Sequence, residues 1–248
     1  MRSDIRKKMK NLNLLILLIL TPMTVFGQFD SNSSFGLKAG LSWNSLSGLS
    51  GVFVHETYYS NYQFTDKTYF APSASLFYNY HKYKSYLGVE VGVNYHQLCG
   101  STTYDDINDL TYTVKLQYHY IGAEAYFKVY PWQGLYIGIG GFAGFNLSPD
   151  GLTYTSNQEE PQYFEVYRED TATTWACMKE KVSGKADLGA GAVLGYEFPM
   201  GLCVGMSYGY SLGDLIETKT NTYNWEENAN HAHRIALMVG WAFGTKRR

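Results

Sequence analysis

The sequence predicts an all-β protein, an eight-stranded antiparallel up-and-down transmembrane β-barrel, and three observations carry that expectation. Apolar residues alternate with polar or glycine residues in eight separate runs. The links between successive runs are long and short in strict alternation, and aromatic residues gather beside the short ones. In a barrel that crosses a membrane, successive side chains face lipid and lumen in turn, so the apolar face recurs with period two. Short turns at one end and long loops at the other are the usual connections of such a barrel; a soluble sandwich has no reason to obey that rule.

The first run sets Phe35, Leu37, Ala39, Leu41 and Trp43 against Gly36, Lys38, Gly40 and Ser42. The second places Ala74, Leu76, Tyr78 and Tyr80 on one side, with a mixed opposite face that leaves its phase open. In the third, Leu87, Val89, Val91, Val93 and Tyr95 face lipid, opposed by Gly88, Glu90, Gly92, Asn94 and His96. The fourth changes parity: Val114, Leu116, Tyr118 and Tyr120 share one, and Ile121, Ala123, Ala125 and Phe127 the other. One inserted residue would restore a single apolar face, which predicts a β-bulge near Tyr120.

The fifth run exposes Leu135, Ile137, Ile139, Ala143 and Phe145, and the sixth Leu188 to Phe198 in alternation with Asp187, glycines and Glu197. The seventh sets Leu202, Val204, Met206, Tyr208 and Tyr210 outward. The eighth does the same with Ile235, Leu237, Val239, Trp241 and Phe243. Short links fall at His81–Lys84, Pro131–Gly134 and Pro199–Gly201; long ones at Ser47–Thr68, Cys99–Thr111, Ser148–Gly184 and Gly213–Asn230. Strands of ~10–12 residues tilted by ~45° span the ~25 Å apolar band of an outer membrane. Tyr78, Tyr80, Tyr83, Tyr86, Tyr130, Trp132, Tyr196, Phe198, Trp241 and Phe243 cluster at the short-turn end as an interfacial girdle.

Composition agrees with this class. Aromatic and charged residues each make up 17% of the 248 residues, with 25 Gly and 6 Pro. A slightly polar mean hydropathy of -0.25 excludes a helical membrane protein, and alternating strands hide their lipid face from such an average. Arg2, Arg6, Lys7, Lys8 and Lys10 precede the apolar stretch Leu12–Phe26, and Val25 and Gly27 suit a cleavage site. Residues 1–27 therefore read as a signal peptide and 28–34 as a short periplasmic lead-in. The barrel occupies 35–244, and 245–248 form a basic tail. Five basic and one acidic residue leave with the leader, so the remaining chain holds 15 basic and 21 acidic residues, net −6. That balance argues against a nucleic-acid partner.

The predicted lumen collects Lys38, Glu90, His96, Glu124, Lys128, Asp187, Glu197 and Arg234, with Lys115 and His119 beside them under the bulged register. Eight strands enclose a space that side chains fill, and buried charges are costly unless paired. An internal salt-bridge network and a closed lumen follow. Gly88, Gly92, Gly138, Gly140, Gly189, Gly191, Gly205 and Gly209 on the same face let the walls approach closely.

Other constellations are weak. Glu90 and His96 lie six residues apart, ~20 Å along a strand at ~3.3 Å per residue, too far for a dyad. No nucleophile elbow occurs, and loop residues His55, Asp105, Asp106, Asp109 and Asp170 show no catalytic spacing, so no enzyme is expected. The Gly138–Ala143 stretch matches a dinucleotide fingerprint, but alternation runs straight through it where that motif needs a helix start, so no cofactor is expected. His231 and His233 form a His-x-His pair better read as a solvated strand end than as a metal site. The acidic stretch Gln158–Asp170 reads as a solvated loop. Of Cys99, Cys177 and Cys203, the first two fall in long loops, where an oxidising compartment permits a Cys99–Cys177 disulfide; two free thiols are the competing reading.

Several of these segments together resemble the PorT-type outer-membrane β-barrel family of Gram-negative bacteria. Phe35–Leu46 is similar to that family's opening strand. In Leu116–Phe145 a long strand, a Lys near its end, a tight Pro turn and a Gly-rich strand follow in order. Ala186–Phe198, Tyr208–Leu215 and the run ending at Phe243 continue the resemblance. The chain departs from the family where a Glu-Ile-Pro is common, having Gly122-Ala123-Glu124 there. The resemblance implies the fold and the outer membrane, and for some relatives a part in protein secretion.

The expectation is an outer-membrane anchor whose long outer loops meet an extracellular or secretion-related partner. The uninterrupted apolar face makes a monomer the default, with membrane lipid as its first partner. An accessory role in secretion is the leading alternative. The other is a soluble lipocalin-like ligand-binding barrel, whose interior would be apolar and exterior polar, the reverse of the faces above.

Overall fold

The computed structural model describes residues 33–49, 62–82, 85–106, 111–132, 134–157, 175–176, 178–180, 182–218 and 230–244. The leader at 1–27, most of the lead-in and the tail at 245–248 lie outside the described residues. Eleven strands follow in order: β1 Ser33–Leu46, β2 Tyr62–His81, β3 Leu87–Asp106, β4 Thr111–Val129, β5 Leu135–Asn146 and β6 Leu152–Ser156. The rest are β7 Val182–Gly184, β8 Asp187–Glu197, β9 Leu202–Ser211, β10 Ile216–Thr218 and β11 Ala232–Phe243.

Eight of them close a ring. β1, β2, β3, β4 and β5 pair in sequence, then β5 with β8, β8 with β9, β9 with β11, and β11 with β1, every pairing antiparallel. The seam between first and last strands runs from Phe35↔Phe243 to Leu46↔Ala232 without a register shift. β6 extends the sheet beside the far end of β4, and β7 pairs with β10 as a separate ribbon. At the short-turn end, Gly134 and Gly201 take φ values of 82° and 103°, which other residues rarely adopt. The fold class read from alternation is therefore the observed one.

The outward face of the ring is an apolar belt. Leu37, Leu41, Leu76, Val89, Val93, Ile137, Ile139, Leu194, Val204, Leu237 and Val239 are all exposed. On β3 the belt runs from Leu87 to Tyr95, and eight residue steps at ~3.3 Å with ~45° tilt give a height of roughly 20 Å, close to an outer-membrane apolar band. A continuous exposed apolar band around a closed barrel is the surface that spans a membrane. The second strand's phase is settled the same way: Leu76 and Tyr80 are exposed while Phe77 and Asn79 are buried.

Three expectations need correction. β4 holds one register along its whole length, from Leu87↔Val129 to Asp105↔Thr111 against β3, so no bulge lies near Tyr120. Val114, Leu116, Tyr118 and Tyr120 point inward, on the same parity as Glu124 and Lys128. What changes is the filling of the interior, which is polar behind the belt and apolar beyond it. The one irregularity is in β2, between Thr68 and Ser73, where four residues of β2 oppose three of β3. Pro72 lies in this stretch; without an N–H it cannot complete the ladder, and it marks the bulge.

Second, β2, β3 and β4 are 20, 20 and 19 residues long, so much of the segments read as loops at Ser47–Thr68 and Cys99–Thr111 is strand. These extensions rise beyond the belt on one side of the ring and form a lobe with its own core. Third, Tyr130 is not part of the girdle. Its ring is buried and stacks on His81 at 3.8 Å, whereas Tyr80, Tyr86, Trp132, Tyr196, Trp241 and Phe243 are exposed at the short-turn end. Tyr83 lies outside the described residues.

Candidate functional site

The interior is built in three tiers, and the ring positions each one. Nearest the short turns, Lys38 of β1, Glu90 of β3, Lys128 of β4 and Glu197 of β8 converge. Lys38 Nζ donates to Glu90 Oε1 at 2.6 Å, and Lys128 Nζ donates to Glu90 Oε2 and, at 3.3 Å, to Glu197 Oε1. Lys128 is fully buried, which is tolerable because both carboxylates accept from it and the Tyr136 ring lies 3.8 Å below its ammonium. Lys38 stands in the same way over Phe77, at 4.1 Å. Asn79 and the Tyr130 hydroxyl also donate to Glu197 Oε1, at 3.1 and 3.0 Å.

The middle tier holds Asp187, His96 and Arg234. His96 Nε2 donates to Asp187 Oδ2 at 3.1 Å, Ser211 Oγ donates to Oδ1 at 2.7 Å, and the Arg234 guanidinium lies 3.7 Å from Oδ2. Arg234 also sits over the Phe142 ring at 4.6 Å, and His96 stacks on Tyr120 at 5.0 Å. Glu124 stands apart from both groups. Ser75 Oγ donates to its Oε1, and Asn94 Nδ2 to its Oε2 at 3.0 Å. Ser, His and Asp thus meet here, but in the wrong order for nucleophilic catalysis. The hydroxyl bonds the carboxylate rather than the imidazole that would have to take its proton.

The top tier is apolar. Leu46 and Leu98 pack with Val114, Leu116, Tyr118 and Tyr120 of β4; Leu49, Leu152, Met178, Val182, Leu215 and Ile216 close over them. Asn230 holds this cap to the ring, its Oδ1 accepting from the backbone N–H groups of Leu215 and Ile216 at 2.7 and 2.9 Å. Trp175 Nε1 donates to the Leu152 carbonyl at 2.6 Å. Between the tiers, a cavity of about 20 Å³ lies among Ser73, Asn94, His96, Glu124 and Arg234, room for about one water.

All eight lumen residues named from the sequence face inward, four in one network, three in another, and Glu124 alone with its two neutral donors. Lys115 and His119 do not join them. With no bulge their parity is outward, where Lys115 is exposed and His119 Nδ1 meets the Tyr95 hydroxyl at 2.8 Å. The inner glycines do more than let the walls approach. The space a side chain would take is occupied by the Phe142 ring at Gly189 and by Tyr130, at 2.8 Å, at Gly88; at Gly191 it would meet the Tyr208 carbonyl at 2.9 Å, with the Tyr126 hydroxyl close by at 3.3 Å. Sequence reading missed these inward aromatics, although each shares the glycine parity of its strand.

Cys99 and Cys203 are buried free thiols, and Cys177 lies outside the described residues. His55, Asp109 and the acidic stretch Gln158–Asp170 lie outside them as well. Asp105 accepts a hydrogen bond from Thr111 Oγ1 at 2.9 Å, and His233 Nδ1 meets the Tyr208 hydroxyl at 2.9 Å. Among the described residues no three His, Cys, Asp or Glu side chains are grouped to hold a metal ion, and no helix is long and apolar enough to cross a membrane. With charges inside and aliphatics outside, the faces are the reverse of those of a soluble ligand-binding barrel.

No family model matches the sequence, and no curated protein matches it. Solved structures of small membrane barrels do. Ail, the attachment invasion locus protein of Yersinia pestis, solved with the heparin analogue sucrose octasulfate, is 11% identical with a TM-score of 0.38, over 86% of this chain and 99% of that one. Neisserial surface protein A is 11% identical, TM-score 0.37, over 86% and 97%. The outer membrane protein OprG of Pseudomonas aeruginosa is 14% identical, TM-score 0.41, over 85% and 96%. At these identities none of the three lends this chain a function.

Proposed function

We propose that the protein is an integral outer-membrane anchor that displays a folded lobe at the cell surface, with a lumen closed to solutes. The observation that carries this reading is the change of interior along β4, from Lys128 and Glu124 behind the belt to Leu116 and Val114 beyond it. Such a strand passes through two solvents, lipid and then water. In lipid every backbone group must be paired, which the closed ring achieves. With the short turns facing the periplasm, as is usual for such barrels, the lobe lies outside the cell in this reading. Surface loops on a rigid scaffold are where partners bind, so the lobe is the interaction surface and the barrel its support. Neither catalysis nor a cofactor enters this reading, and the uninterrupted belt suits a monomer.

Two measurements test it. Single-channel recording of the folded barrel is expected to show no steady conductance; a stable, ion-selective pore would overturn the closed lumen. A cysteine at Thr155, in a chain whose native cysteines are changed to alanine, is expected to react with an impermeant maleimide on intact cells, and one at Met200 is not. The opposite result would reverse the orientation.

The resemblance of Leu116–Phe145 and Ala186–Phe198 to PorT-type barrels favours a second reading, an accessory part in protein secretion. Under it, deletion of the gene removes secreted proteins from the medium while leaving the membrane otherwise intact.

A further inference from the structure

We infer that the outward face of β2, β3 and β4 just beyond the belt binds the phosphate groups of a phosphorylated glycolipid in the surrounding leaflet, an inference that rests on the membrane reading above. The register sets Lys67 of β2 opposite Ser101 of β3, and Ser101 opposite Lys115 of β4. Residues directly opposite share a face of the sheet. Leu116 is buried in the lobe core, so Lys115 and with it Lys67 point outward, and both are exposed. The two lysines stand two strand spacings apart, about 10 Å.

Tyr69 lies between them. Its hydroxyl meets Ser101 Oγ at 2.9 Å, and the Lys115 ammonium stands 5.3 Å from its ring centroid. Neither lysine joins a salt bridge among the described residues. Asp66, beside Lys67 in the sequence, alternates to the opposite face, and Asp105 is four residues further from the belt than Ser101 and bonded by Thr111. Among the described residues the pair meets no carboxylate, and the Tyr69 ring braces Lys115.

Its height fits a headgroup. Phe70, 75% exposed, is the last belt residue of β2, and Lys67 is three residues beyond it, ~7 Å above the belt at ~45° tilt. Lysine stems reach several ångströms and lie along apolar surface with the ammonium in the polar layer. The polar layer on each side of a bilayer is about 5–7 Å deep, so the pair stands at its outer limit, where a glycolipid carries phosphate on sugar. Exposed Gln117 and Thr153 beside the lysines offer hydrogen bonds to sugar hydroxyls.

The test compares the full-length protein with its Lys67→Gln/Lys115→Gln form. Each is folded in neutral phosphatidylcholine vesicles and titrated with lipopolysaccharide or, separately, phosphatidylglycerol, reading the thermal unfolding midpoint. Lipopolysaccharide is expected to raise the wild-type midpoint, with an apparent affinity about thirtyfold weaker in the double variant, since each cation near an anionic surface is worth roughly a fivefold factor. Equal responses of the two proteins would overturn the proposal, as would a response to phosphatidylglycerol alone. The gel mobility of unheated wild-type protein in SDS provides the control: without a heat-dependent shift, the membrane reading itself has failed.

Discussion

The two halves of β4 are the same strand in opposite circumstances. From Ile121 to Val129 the odd residues are apolar and exposed, and the even ones include Glu124, Tyr126 and Lys128, turned into a polar interior. From Thr111 to Tyr120 the even residues are Val114, Leu116, Tyr118 and Tyr120, buried in a dry core, and the odd ones include Thr113, Lys115 and Gln117, turned to water. The backbone does not change register between them. Which side is apolar is decided by what lies outside, so the crossing from lipid to water is written in the sequence as a change of parity. The lower half is held by ion pairs shielded from solvent, the upper by apolar burial. Damage to each should therefore differ in kind.

The largest effect is expected in the lower half. Lys128→Met leaves Glu90 and Glu197 without their shared cation, and breaking such a buried network should cost about 3–5 kcal/mol. Urea titration of the refolded protein in vesicles measures this loss, and a midpoint unchanged from wild type would show that the network does not hold the barrel. A charge on the belt comes next. Val91→Lys should cost about 2–4 kcal/mol near the bilayer midplane. Gln117→Lys, also outward but beyond the belt, should change stability by less than about 0.5 kcal/mol. Similar losses at the two positions would place the lipid boundary elsewhere.

A loss smaller than those of the network and the belt belongs to the cap. Ile216→Val should cost about 0.5–1.5 kcal/mol within the lobe. Proteolysis of the lobe is expected to quicken while the heat-modifiable band on the gel stays the same. If both change together, lobe and barrel are one cooperative unit and the contrast between the halves is structural only.

Most of the ring was legible, and for one physical reason. Strands that face lipid on one side must keep period two, and runs such as Leu87–Tyr95 or Leu202–Tyr210 announce it directly. Inward placement of Lys38, Glu90, Asp187 and Arg234 followed from the same alternation. Their grouping did not, because bringing Lys128 to Glu197 needs the registers of β4 with β5 and of β5 with β8, which no local pattern encodes. The parity change at Tyr120 was seen but assigned to an inserted residue, which put Lys115 and His119 in the lumen. The true bulge had a visible sign in Pro72, within the strand whose phase was left open. Tyr130 was assigned to the interfacial girdle by its place beside a short turn, and Tyr126, Tyr136 and Phe142 drew no assignment; the inward parity of all four was there to be counted.

The seam between β1 and β11 has a consequence for how this molecule comes into being. Phe35 and Phe243 stand at opposite ends of the ring's sequence yet are direct neighbours, their rings 5.3 Å apart. Until Ala232–Phe243 has been synthesised and delivered, β1 and β9 each present a row of unpaired amides that hydrocarbon cannot satisfy. A chain lacking its last strand is thus not a smaller barrel but an open sheet with two unpaired edges. The ring is closed only by its final dozen pairing residues.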